Sequence, residues 1–140
     1  METWISDENA PVQVRLEDFR GGWTCIAFFP PGMASHPELA RFEELRRDFA
    51  AQGCLVLAAS IDSWWDLREA RASFPLVADT QADLARSFGF LADGHALFGW
   101  LLLDPDGTLR DVEFEHGPCA RCALQSLRAL RSSPSLRLVS

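Results

Sequence analysis

The sequence contains no lysine: all 13 basic residues are arginine, so Schiff-base chemistry on a side-chain amine is excluded. Positive charge is scarce altogether. The formal net charge of −7 argues against nucleic acid or an anionic membrane surface as partner, because both are bound chiefly through clustered cations. No apolar run approaches the ~20 residues of a membrane span, and the segment from Met1 to Glu8 lacks the basic, then apolar, pattern of a secretory signal. The expectation is a soluble cytoplasmic protein with mostly reduced thiols. A more local absence matters most. The turn after the first strongly apolar segment, Trp23 to Phe29, runs from Pro30 to Leu39 as PPGMASHPEL and contains no cysteine. The close cysteine pair, Cys119 and Cys122, lies far downstream.

With 140 residues, 48% of them hydrophobic and 24% charged, the chain supports one well-buried core rather than two. A single domain is expected over 1–131, with a tail over 132–140 marked by Ser132, Ser133, Pro134 and Ser135. After a polar N-terminal stretch, Val12 to Leu16 alternates like a short strand, and Asp18 to Gly22 turns the chain into the apolar strand Trp23 to Phe29. Pro37 to Ala51 places Leu39, Phe42, Leu45 and Phe49 on one helical face, with Glu38 in the first turn, where the dipole favours a carboxylate. Cys54 to Ser60 is a continuous apolar run of the kind that forms a strand covered on both faces.

Further along, a second helix is expected over about Trp64 to Ala72, an extended segment over Phe74 to Asp79, and a third helix opening with a capping pattern at Thr80 to Asp83. Gly99 to Asp104 and Thr108 to Phe114, joined by Pro105, Asp106 and Gly107, spell a hairpin. Cys119 to Arg131 forms the last helix, with Leu124, Leu127 and Leu130 on one side. This order predicts an α/β fold, a central mixed sheet with helices on both faces.

Six segments resemble one family in its own order. They are Leu16 to Trp23, the strand ending at Phe28, Phe29 and Pro30, Ser60 to Ser63 (SIDS), Phe74 to Asp79 (FPLVAD), Phe88 to Leu91 (FGFL) and Leu103 to Arg110 (LDPDGTLR). Together they resemble a peroxiredoxin of the alkyl hydroperoxide reductase and thiol-specific antioxidant group. The resemblance implies a thioredoxin-like fold and, commonly, a homodimer. It also locates what is missing. Pro30 matches the family's loop proline, Ser35 falls opposite the peroxidatic cysteine when Glu38, Leu39 and Phe42 are set on the family's helix start, and Phe98 takes the place of its arginine. His36 follows Ser35 in this degenerate loop. A serine hydroxyl cannot replace a thiolate that must ionise near neutral pH and cycle through sulfenic acid.

Cys119 and Cys122 are the remaining candidates. A C-x-x-C pair at a helix start has a physical rationale: unpaired N–H groups and the positive dipole end stabilise a thiolate, making Cys119 the attacking sulfur and Cys122 its resolving partner. Arg121 adds positive charge. In the topology that the resemblance implies, this helix and the one at Pro37 begin at the same end of the sheet. Dithiol–disulfide exchange with a thiol or disulfide protein partner, or with a small oxidant, is the leading function, and it needs no cofactor. Two alternatives stand beside it. One is a catalytically inactive binding or regulatory module. The other is a zinc site of His116, Cys119 and Cys122 with a fourth ligand from Glu115, His36, water or a partner chain. In a variant of the zinc reading, His36-Pro-Glu38 and Pro118 to Cys122 spell the H-x-E and P-C-x-x-C pattern of zinc deaminases. Cys25 and Cys54 read as core filler, and His95 as a solvated loop residue.

Overall fold

The computed structural model describes residues 2–7, 10–15, 21–67, 70, 72–92, 95–114 and 116–132. Of the expected tail, 133–140 lie outside the described residues. A seven-stranded sheet forms the centre. Its strands are β1 (Glu2–Asp7), β2 (Ala10–Arg15), β3 (Trp23–Phe28), β4 (Cys54–Ser60), β5 (Leu76–Ala78), β8 (Gly99–Leu103) and β9 (Leu109–Glu113). They lie in the order β2-β1-β5-β4-β3-β8-β9. The β3·β4 and β4·β5 pairs are parallel, and the other neighbours are antiparallel. A separate two-stranded ribbon joins β6 (Leu91–Ala92) to β7 (His95–Ala96), so the backbone of His95 is paired rather than in a loop.

Successive side chains of a strand point to opposite faces, and the continuous apolar runs of β3, β4 and β8 therefore feed two cores. One face carries Cys25, Ala27, Val56, Trp100 and Leu102 against Phe42 and Phe49 of α1 (Pro37–Ala51) and Ala123, Leu124 and Leu127 of α4 (Ala120–Arg131). The other carries Ile26, Phe28, Leu57, Val77 and Leu101 against Leu84 and Ala85 of α3 (Asp83–Ser87). Phe29 meets Phe42 edge-on and Phe42 stacks on Phe49, with ring centroids 6.1 and 5.9 Å apart, and these contacts seat α1 on its face. Arg128 of α4 reaches Asp48 of α1 at 3.4 Å across the solvent side.

Three local expectations need adjustment. The N-terminal segment is strand β1 rather than a polar lead-in, because Ile5 and Ser6 pair with Val77 and Leu76 of β5 while its whole length pairs with β2. Helix α2 is a single turn, Trp64–Leu67; residues 68, 69 and 71, which the expected longer helix included, lie outside those described. Helix α3 takes no side-chain cap from Thr80 to Asp83. Ala82 adopts a left-handed φ of 56°, and the buried Asp79 carboxylate accepts the Leu84 and Ala85 N–H groups instead, each at 3.0 Å. Among the described residues no helix is long and apolar enough to cross a membrane.

Candidate functional site

Both helices on the α1/α4 face begin at the same end of the sheet. Strand β9 is antiparallel to β8, which is antiparallel to β3, so the segments leading into α1 and α4 emerge from parallel strands. The turn before α1 is tightly built. Gly32 takes a φ of 90°, a left-handed conformation that favours glycine, and a 3-10 turn at Met33–Ser35 follows it. His36 caps α1: its Nδ1 accepts the Glu38 N–H at 3.1 Å, and Pro37 takes the first helical position, where a missing N–H costs nothing. The Phe29 ring meets His36 edge-on at 5.1 Å.

Most backbone amides around this turn are engaged. Gly32 N–H donates to both Asp62 carboxylate oxygens at 3.0 Å, and Met33 N–H to Oδ2 at 3.1 Å. Ser60 Oγ donates to the same carboxylate at 2.7 Å. Ser35 N–H bonds Gly32 O at 3.0 Å, His36 N–H bonds Met33 O at 3.0 Å, and Leu39 N–H bonds His36 O at 3.1 Å. Ser35 itself is exposed. Phe98 is half-buried and directly precedes Gly99, which pairs with Phe28, so an apolar residue borders the end of β3. An added Cβ at Gly99 would overlap the Glu113 carbonyl, which fixes this approach of β8 to β9.

The start of α4 holds the sulfurs. Cys119 is the extended N-cap, and its Sγ accepts the Cys122 N–H at 3.2 Å. Cys119 O accepts the Ala123 N–H at 3.0 Å. Cys119 and Cys122 form a disulfide with their Cα atoms 5.3 Å apart, within the ordinary range for this bond. Cys119 is half-buried against the main core and Cys122 is exposed. Glu38 joins the two helix starts: its Oε1 accepts the N–H of Ala120, the first residue of α4, at 2.9 Å. Ser35, His36 and Glu38 thus stand on the rim that carries the disulfide.

The other polar candidates fall elsewhere. His116 is exposed and pairs with Glu113 at 3.3 Å, and Glu115 lies outside the described residues. The sulfurs that a zinc site needs as thiolates are bonded to each other here, and His36 Nδ1 is occupied by an amide. No three His, Cys, Asp or Glu side chains among the described residues are grouped to hold a metal. Cys25 and Cys54 are free and buried. Burial, reinforced by the neighbouring Cys54, pushes the Cys25 thiol well up. Burial also pushes Cys54 up to about 12, against the pull of the Cys25 backbone and Arg131. Neither is a nucleophile near neutral pH. Sequence reasoning did not single out Asp62 as the anchor of the turn, although it lies within the SIDS segment.

A model described as the AhpC/TSA family matches residues 5–112 of this chain. The chain belongs to the AhpC/TSA family. Peroxiredoxin TSA1-B of Candida albicans is 33% identical over 135 residues, covering 86% of this chain and 69% of that protein. Among solved structures, AhpC of Enterococcus faecalis superposes with a TM-score of 0.84 at 23% identity, covering 96% of this chain and 90% of that one. The mitochondrial 2-Cys peroxiredoxin of Plasmodium falciparum superposes with a TM-score of 0.83 at 20% identity, covering 96% and 92%. This member is peroxiredoxin-like, with the thioredoxin-like fold that the six segments implied. The family match ends at Val112, so the C-x-x-C pair lies beyond the matched stretch.

Proposed function

We propose that this peroxiredoxin-like protein is a thiol oxidoreductase whose working group is the Cys119–Cys122 pair, in place of the family's usual cysteine loop. The observation that carries the reading is the disulfide at the N-terminus of α4, on the molecular rim, with Cys122 an exposed residue. In the reduced form the Cys122 N–H and the N-terminal end of α4 stabilise a Cys119 thiolate. That thiolate attacks one sulfur of a substrate disulfide, whose S–S bond breaks, and the first substrate thiolate leaves and takes a proton. Cys122 then loses its proton and attacks Cys119 Sγ, expelling the second substrate thiol. Two electrons pass to the substrate, and the pair is left as the disulfide seen here. An external dithiol resets it by striking the sulfur of Cys122, with Cys119 leaving as the stabilised thiolate. A homodimer fits the family resemblance; Trp65, 62% exposed on α2, is a candidate contact.

Counting accessible thiols tests this. After treatment with dithiol and its removal, the native protein should show two reactive thiols per chain and should lose both with stoichiometric peroxide or a small disulfide. Cys119→Ser should show one reactive thiol and form no intramolecular disulfide, its Cys122 staying trapped as a mixed disulfide when a small disulfide is the oxidant. Two thiols that persist after oxidant would reduce the protein to a silent module of the family.

A further inference from the structure

The contact between Glu38 and α4 links two segments 82 residues apart. A carboxylate in the first turn of α1 is explained by the dipole of its own helix, but this one reaches across to the first amide of another. It therefore places negative charge at the same helix end that stabilises a Cys119 thiolate, one residue from that sulfur. We propose that Glu38 is a positioning residue of the dithiol pair, orienting the start of α4 through the Ala120 N–H while opposing ionisation of Cys119. This rests on the dithiol reading above.

The direction follows from charge. Disulfide reduction releases a Cys119 thiolate, and whatever destabilises that thiolate holds the pair in the disulfide form. Other charged or titratable groups around the start of α4 are Arg121 on α4 itself, His36 at the cap of α1 and His116 in the preceding loop, the last already paired with Glu113. Arg121 is exposed and solvated, which weakens its influence. Glu38, part-buried and hydrogen-bonded to the helix end, is screened less.

The experiment compares parent, Glu38→Gln and Glu38→Ala by equilibrating each with a reduced and oxidised dithiol of known potential and quantifying the Cys119–Cys122 disulfide. Thermal unfolding of each variant is recorded alongside. Glutamine keeps an oxygen for the Ala120 N–H but removes the charge. The proposal expects Glu38→Gln to shift the equilibrium towards the dithiol by several-fold to about tenfold, the latter being ~30 mV for a two-electron couple. Glu38→Ala should shift the same way and also unfold at lower temperature. A merely structural glutamate predicts Glu38→Gln within twofold of the parent, with only Glu38→Ala altered, and that result overturns the proposal. Failure of the dithiol reading looks different: the parent itself would not exchange with the reference dithiol.

Discussion

Placing a cysteine at position 35 should not create a peroxidatic site, and the reason is the amide inventory of the turn. A thiolate there would need N–H donors or a cation to hold its charge. The N–H groups of Gly32 and Met33 are held by Asp62, those of Ser35 and His36 by the preceding carbonyls, and those of Glu38 and Leu39 by His36, which leaves a thiolate at 35 the single N–H of Ala34 within the turn. Pro37 has none, and the bordering residue at 98 is phenylalanine. Ser35→Cys should therefore titrate near the ~8.5 of a free thiol, leaving about 3% thiolate at pH 7. Its alkylation at pH 7 should run about thirtyfold below its own high-pH plateau. The assay is the pH dependence of iodoacetamide alkylation in a Cys119→Ser, Cys122→Ser background, where Cys25 and Cys54 are buried and silent. A midpoint below about 6.5, or sulfenic acid forming faster than on an ordinary exposed thiol, would refute the reasoning.

Two stability predictions come from buried groups. With no lysine and no tyrosine in the chain, cysteine dominates side-chain titration between about pH 8 and 12. In the unfolded chain the two buried thiols ionise near ~8.5, whereas in the folded protein Cys54 holds its proton to about 12 and Cys25 is also shifted up. Their contribution to stability is therefore complete below about pH 8.5 and declines as pH rises towards the folded value, because the unfolded state sheds protons that the native state keeps. Urea midpoints should fall from pH 7 to pH 10 in the parent and fall less in Cys54→Ala; equal slopes would contradict this. Asp79→Ala should cost about 2–4 kcal/mol, since it strands two buried amides at the start of α3. Asp79→Asn should cost less, and a loss under about 0.5 kcal/mol for alanine in urea unfolding would show that α3 does not depend on this cap.

How far the fold is legible in the sequence depends on whether its cause is local. The strands Trp23–Phe28 and Cys54–Ser60 are recognisable because burial on both faces leaves long apolar runs, and α1 because Leu39, Phe42 and Phe49 repeat at helical spacing. The hairpin of β8 and β9 announces itself through Pro105, Asp106 and Gly107. Strand β1 has no such signature: Glu2, Thr3, Ser6 and Asp7 interrupt any apolar run, and the segment is a strand because β2 and β5 lie on either side of it. The cap of α3 escapes a sequence reading for a related reason. Thr80 to Asp83 has the composition of a capping sequence, but the left-handed turn at Ala82 lets Asp79, further back, receive the helix amides.

The candidate site divides along the same line. Cys119 and Cys122 are three residues apart at a helix start, so their pairing is written in local spacing. Glu38 and Ala120 become neighbours only because β8 and β9 return the chain antiparallel and then parallel to β3, bringing α4 down beside α1. A carboxylate in the first turn of α1 would have only a local role on an isolated helix. Packed against the start of a second helix, it sits at the first amide beyond Cys119, and that amide is 82 residues away along the chain. The family match ends before α4, yet the beginning of α1, within that match, supplies the carboxylate at the disulfide. The N-terminal ends of α1 and α4 form one electrostatic unit, so a change at either should register at the other.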